Sequence, residues 1–170
     1  RLLVAPTGVH KEMVAPEDLF AIDPETCGVI DAAADAELKP SECSPIFAAI
    51  VRGRGAGSVV HSHALDAVLA ADVAPGDVLS IRRLEMLKGI TGVANTDVHP
   101  VPVIDNTARE SELTGAVQQA ADDPRFAAAQ AILVRDHGAY IWGADVWQAK
   151  RHAEVYHFLF EATRTRRPDR

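Results

Sequence analysis

The stretch Gly57-Ser58-Val59-Val60-His61-Ser62-His63 constrains the fold of this chain more than any other. A β-branched pair that follows a Gly55-Ala56-Gly57 turn predicts an extended strand. In a strand successive side chains alternate faces, so His61 and His63 point the same way and can share one metal ion. On a helix they would diverge by roughly 200°. The plainer reading, two polar residues at a strand end, stands until other residues join them.

Composition narrows the class. At 170 residues, with 48% hydrophobic and 24% charged residues, the chain has the length and apolar content of one globular domain with its own core. The net charge is −7 and the basic residues are scattered except at residues 164–170, which argues against a nucleic-acid partner. That basic tail reads as a disordered, solvated end, outside a domain spanning residues 1–163. Two cysteines, Cys27 and Cys43, cannot build a disulfide framework, and their number suits a reducing cytoplasm. No apolar run approaches the roughly 18–20 residues that cross a bilayer, and no signal peptide is visible, so no membrane partner is expected. The opening Arg1-Leu2-Leu3-Val4-Ala5-Pro6 reads as the second half of a strand, from which an N-terminal truncation is expected.

In order, Leu2 to Ala5 form a strand that breaks at Pro6-Thr7-Gly8, where exposed backbone N–H groups can make a plain turn or receive an anion. Residues 17–23 and 28–31 predict two further strands in an antiparallel meander. Residues 32–39 read as a surface loop. Ser44 is the expected cap, and Pro45 the first residue, of a buried helix. Glu42 and Cys43 stand just ahead of that helix, where acidic residues commonly serve only as caps. A helix over 64–71 and a strand over 78–81 follow. Glu85 then sits among apolar neighbours, either as a solvated residue or as a buried carboxylate with a raised pKa suited to proton transfer. The prolines of His99-Pro100-Val101-Pro102 suit an edge strand, with His99 incidental.

Residues 107–122 predict an amphipathic helix capped at Asn106 or Thr107. Two strands joined by Asp136-His137-Gly138 predict a hairpin with His137 near its tip. Asp145 is expected to cap the closing helix, with Trp147, Val155, Phe158, Leu159 and Ala162 making apolar contacts and His152 and His157 on the surface. No internal repeat, Gly-x-Gly-x-x-Gly, Walker loop or Gly-x-Ser-x-Gly elbow is present. Together His61, His63 and His137 predict a three-nitrogen site with an open position, the arrangement of catalytic zinc.

Read in this order, Ala5-Pro6-Thr7-Gly8-Val9, Lys39-Pro40-Ser41-Glu42-Cys43, Val60-His61-Ser62-His63, Glu85-Met86-Leu87-Lys88-Gly89-Ile90, Val134-Arg135-Asp136-His137-Gly138 and Trp142-Gly143 resemble the class II aldolase/adducin superfamily. Within it the likeness is greatest to the methylthioribulose-1-phosphate dehydratases of methionine salvage. The resemblance implies an α/β fold with a largely antiparallel sheet covered by helices, and a homotetramer with sites at subunit boundaries. It implies one zinc ion per subunit on His61, His63 and His137, with Glu85 as acid/base and Cys43 in the substrate site. From the related sugar-phosphate aldolases it implies Thr7, Gly8 and Ser41 as phosphate contacts, to which Lys11 is added, and Glu42 as a competing proton-transfer group. The chain departs from the animal dehydratases at Glu42, where they carry Gln. The alternatives are a fuculose or rhamnulose 1-phosphate type aldolase, supported by Glu42, and a non-catalytic adducin-like module, opposed by the retained histidines. A purely structural zinc domain is weakened by the lack of Cys-x-x-Cys spacing.

Overall fold

The computed structural model describes residues 1–166. Its first unit is a small antiparallel meander of β1 (Leu2–Val4), β2 (Phe20–Ile22) and β3 (Val29–Asp31). The second strand is shorter than its sequence suggests, because Pro16–Asp18 turns as a 3-10 helix before it. An isolated antiparallel bridge, Pro6 to Pro40, ties the turn after β1 to the residues ahead of the first helix. That helix, α1 (Ser44–Arg54), starts one residue earlier than predicted. Cys43 holds the N-cap position, and the Ser44 hydroxyl donates to Ser41 O at 2.5 Å rather than capping the helix.

The main sheet contains β4 (Ser58–Ser62), β5 (Val78–Arg82), β6 (Val98–Ile104), β7 (Ala131–Val134) and β8 (Gly138–Gly143), in the spatial order β4-β8-β7-β6-β5. Every pairing is antiparallel except β6 with β7. Three helices complete the fold: α2 (Leu65–Asp72), α3 (Thr114–Asp122) and α4 (Val146–Thr165). Strand alternation sorts the core. Ala131, Leu133, Ala139 and Ile141 pack against α2 and α4, while Ile132, Val134, Tyr140 and Trp142 pack against α1 and α3. Every residue of β7 and β8 is buried, as expected of central strands covered on both faces. Phe47 on α1 touches both the core below the main sheet and the small core of Val4, Phe20 and Ile22, joining the two units.

Several expectations change. β6 is not an edge strand, since it lies between β5 and β7. Val103 N donates toward the β5 side, to Asp77 O at 2.9 Å, so Pro100 and Pro102, one position out of phase, turn their missing donors toward β7. Pairing with β7 begins only at Val103 opposite Leu133, and the prolines fall before it. The predicted helix over 107–122 starts late: Glu110–Leu113 is a 3-10 turn and the α-helix begins at Thr114. Asp145 caps α4 as expected, accepting from Gln148 N at 2.7 Å. Trp147 and Phe158 are exposed instead of packed, while His152 is buried rather than on the surface, its Nδ1–H donating to Trp142 O at 2.7 Å. His99 is likewise buried, against the Tyr156 hydroxyl at 2.8 Å. Helix α4 continues through Arg164 and Thr165, and Arg166 donates to the carbonyls of Arg82 and Arg83, so the expected disordered end does not begin at residue 164. The remainder of that tail, 167–170, lies outside the described residues.

Candidate metal centre

β4 delivers two of the three histidines in the way its alternation requires. His61 pairs with Tyr140 across the β4–β8 ladder and stacks on its ring, centroids 4.2 Å apart. His63 follows two residues on, on the same face, just past the strand end. His137 comes from the predicted β7–β8 turn, where Asp136 has the positive φ (53°) of a tight connection. The three Nε2 atoms converge at 2.8, 3.1 and 3.2 Å from one another.

Glu110 joins them, and sequence patterning did not single it out. Its Oε1 lies 3.2 Å from His137 Nε2, 3.4 Å from His61 Nε2 and 3.9 Å from His63 Nε2. The position expected to be open is thus held by a carboxylate oxygen. These atoms are the corners of a distorted tetrahedron with edges of 2.8–3.9 Å. A tetrahedral ion bound at about 2.0–2.1 Å asks for edges of about 3.3 Å. Ring tautomers agree. His61 Nδ1–H donates to Ala139 O at 3.1 Å and His137 Nδ1–H to Asn106 Oδ1 at 3.0 Å. Oxygen acceptors on Nδ1 leave the Nε2 lone pairs facing the centre, the orientation of metal-bound histidine. Three lone pairs and a carboxylate oxygen meeting at one point repel unless a cation lies between them, so this donor set fits a metal ion. The chain has residues for a first shell of His61, His63, His137 and Glu110.

Electrostatics follow from burial. Burial pushes the His61 ring down to about 4, with its contact to Ala139 pulling weakly upward. Burial alone would raise the Glu110 carboxyl, but the Cys43 thiol and the His61 and His137 rings outweigh it and hold it below the usual range. Cys43 Sγ–H donates to Glu110 Oε2 at 2.6 Å, and burial together with that carboxylate pushes the thiol up to about 11. Cys43 is therefore a proton donor to Glu110 and not a thiolate. Tyr140 places its buried hydroxyl beside the same sulfur, without a partner of ordinary hydrogen-bond geometry.

The other predicted residues divide. Thr7, Gly8, Ser41 and Lys11 are drawn together: Thr7 N donates to Lys39 O at 2.9 Å, Ser41 N to Ala5 O at 3.2 Å, and the Lys11 ammonium to Pro6 O. Gly8 has φ 69° and open space where a side chain would stand. Ser41 Oγ also accepts from Cys43 N at 3.2 Å, which links this turn to the site. Glu42 is exposed between them. Glu85 is not brought to the histidines. It is solvated, on the 3-10 turn Glu85–Gly89, 2.5 Å from both Lys88 Nζ and Asn95 Nδ2, and these contacts hold its carboxyl below the usual range. Of its two sequence readings, the solvated one holds within a single chain. A cavity of about 330 Å³ opens beside the centre, lined by His63, Asn106, Thr107, Glu110, Asp136 and His137 among others, and Glu85 is not among its lining residues.

Residues 1–163 match the family described as Class II Aldolase and Adducin N-terminal domain. The chain belongs to this family. Among curated proteins, this class II aldolase/adducin domain is 40% identical over 168 residues to a Physcomitrium patens protein named "Probable bifunctional methylthioribulose-1-phosphate dehydratase/enolase-phosphatase E1", covering 95% of the chain and 32% of that protein. It is 36% identical over 166 residues to the methylthioribulose-1-phosphate dehydratase of Gallus gallus, covering 94% of the chain and 68% of that protein. The chain thus spans about a third of the bifunctional relatives it matches. Among solved structures, L-fuculose-1-phosphate aldolase from Thermus thermophilus superposes with a TM-score of 0.61 at 25% identity, covering 95% of this chain and 74% of that one. The predicted fold is the observed one: an α/β domain with a mostly antiparallel sheet and four helices.

Proposed function

We propose that this domain is a zinc-dependent hydro-lyase that converts 5-methylthioribulose 1-phosphate to 2,3-diketo-5-methylthiopentyl 1-phosphate, a step of methionine salvage, in the cytoplasm. The observation that carries the reading is the convergence of His61, His63 and His137 Nε2 with Glu110 Oε1, in a chain 36% to 40% identical to proteins named for that reaction. The three imidazoles would hold the zinc with Glu110 as fourth donor, and the ion would supply a Lewis acid to the substrate's carbonyl oxygen once Glu110 yields the fourth position to it.

The chain's own residues do the rest. Thr7, Gly8, Ser41 and Lys11 hold the phosphate at the turn that the Pro6–Pro40 bridge builds, which fixes the carbon facing the base. Glu85 takes the proton from C3 and returns one to the C4 hydroxyl as it leaves as water. Glu85 is solvated and absent from the lining of its own chain's cavity, so this role requires it to reach the site from a neighbouring copy, as the expected homotetramer with sites at subunit boundaries would allow. Glu42, exposed beside Ser41, is the competing proton carrier. Cys43 keeps the second oxygen of Glu110 protonically engaged, so that Oε1 alone faces the centre.

The test is phosphorus and proton NMR of methylthioribulose 1-phosphate incubated with the zinc-loaded protein. Loss of water to give the diketone phosphate is the expected result. Fragments from carbon–carbon cleavage would instead assign an aldolase with Glu42 as its base, and untouched substrate would overturn the dehydratase reading.

A further inference from the structure

Of the three histidines, His61 and His137 have their Nδ1 atoms held by oxygen acceptors, while His63, whose side chain is 64% exposed, has no such partner among the described residues. Its ring is therefore placed by its backbone, and that backbone is gripped from two sides. On one side Gly138 approaches so closely that a Cβ there would stand 2.0 Å from Ser62 O and 3.1 Å from His63 Cα. On the other, the Ser62 side chain points to the face opposite His61 and His63, toward α2 and α4. Its Oγ straddles His63 by accepting from Ala64 N at 3.3 Å. The same hydroxyl lies 3.1 Å from His157 Nε2 on α4, and His157 Nδ1 lies 3.0 Å from both carboxylate oxygens of Asp66 on α2.

With His157 neutral, one set of hydrogen-bond roles satisfies every contact in this chain. Asp66, ionised, accepts from Nδ1–H, which leaves Nε2 as the acceptor for the Ser62 hydroxyl proton and frees an Oγ lone pair for Ala64 N–H. The arrangement has the order of a nucleophilic triad. Ser62, however, is not among the residues that line the cavity beside the metal centre.

We infer that Asp66, His157 and Ser62 are positioning residues: a relay from α2 and α4 that sets the backbone of His63 and thereby the geometry and affinity of the metal centre. It acts on the exposed ligand through the backbone, whereas Ala139 O and Asn106 hold the other two rings directly. This inference rests on the reading of His61, His63 and His137 as metal ligands. Removing an outer partner of a metal-bound histidine typically weakens binding by about 10- to 100-fold.

Zinc affinity is measured by competition with a chromophoric chelator, and ligand geometry by the visible absorption of the cobalt-loaded protein. His157→Leu is expected to weaken zinc by about tenfold and to shift the cobalt bands. His157→Gln keeps an acceptor for the Ser62 hydroxyl and is expected to restore most of the affinity. Because both residues act through one relay, Ser62→Ala combined with His157→Leu is expected to bind no more weakly than the weaker single variant. Thermal unfolding of the metal-free variants reports whether each is folded, and Asp66→Asn carries the same test should His157→Leu fail to fold. Unchanged affinity and spectrum in the relay variants, with tight zinc binding by the parent and its loss in His63→Ala, would overturn the relay and leave the metal centre standing. A parent protein that binds no zinc would overturn both.

Discussion

Glu85 illustrates how a residue can be chemically suited to a task and still be misplaced for it within one chain. An exposed carboxylate paired with Lys88 and Asn95 is held ionised, which suits a base but leaves it far from the raised pKa of a buried acid. Entry into a closed site beside a second copy would strip away solvent and disturb that pairing. Glu85→Gln is expected to keep zinc bound and to lower turnover by on the order of 10², the usual scale for loss of a general acid–base group. Turnover and bound metal measured on the same sample check this, and unchanged turnover would remove Glu85 from the mechanism. At this scale the sequence was legible where chemistry depends on neighbours in the chain. His61 and His63 share a face because strand alternation is local. Glu110 was not legible, since in a segment with helical periodicity only the late start of α3 and the turn Glu110–Leu113 decide that its carboxylate faces the histidines. The buried places of His152 and His99 were likewise set by partners distant in sequence, Thr91 and Tyr156.

At the scale of elements, the centre depends on how closely β4 meets β8. The two strands pair from Ser58 opposite Gly143 to Ser62 opposite Ala139, and Gly138 lies where the Ser62–His63 peptide crosses. Gly138 has φ 152°, and a methyl group there would collide with Ser62 O, which is backbone and cannot swing aside. Gly138→Ala is expected to destabilise the metal-free domain by about 2 kcal/mol or more and to part the two strands where the ligands meet. A shifted urea midpoint together with weakened zinc binding checks both consequences, and an unchanged midpoint would contradict them. The β7–β8 hairpin, the opening meander and the Asp145 cap were all legible because turn residues and caps act over a few positions. The inner position of β6 was not, because two prolines read as an edge signal until the partial pairing with β7 is known.

For the molecule as a whole, buried histidines couple stability to pH. Burial pushes the His99 ring down to about 4, with Asp97 pulling weakly upward. The native protein therefore holds this ring neutral while the unfolded chain, near 6.5, takes up a proton. Stability from this group is complete above pH 6.5 and is lost as pH falls toward 4, by up to about 3 kcal/mol. In the metal-free protein, urea midpoints measured between pH 7 and pH 4.5 are expected to fall less in His99→Gln than in the parent, and parallel curves would show that His99 contributes nothing to the slope. No helix among the described residues is long and apolar enough to cross a membrane. The α/β class and its largely antiparallel sheet were legible, in part through the family resemblance. The partition of the core into two faces follows from strand alternation once the strand order is known.

The metal centre is tested most directly by anomalous X-ray scattering from crystals of the zinc-loaded protein, recorded on both sides of the zinc absorption edge. The expected result is one strong peak per chain, about 2.0–2.1 Å from the Nε2 atoms of His61, His63 and His137. Absence of that peak, or a peak bound by other side chains, would contradict the assignment of these residues as a metal centre.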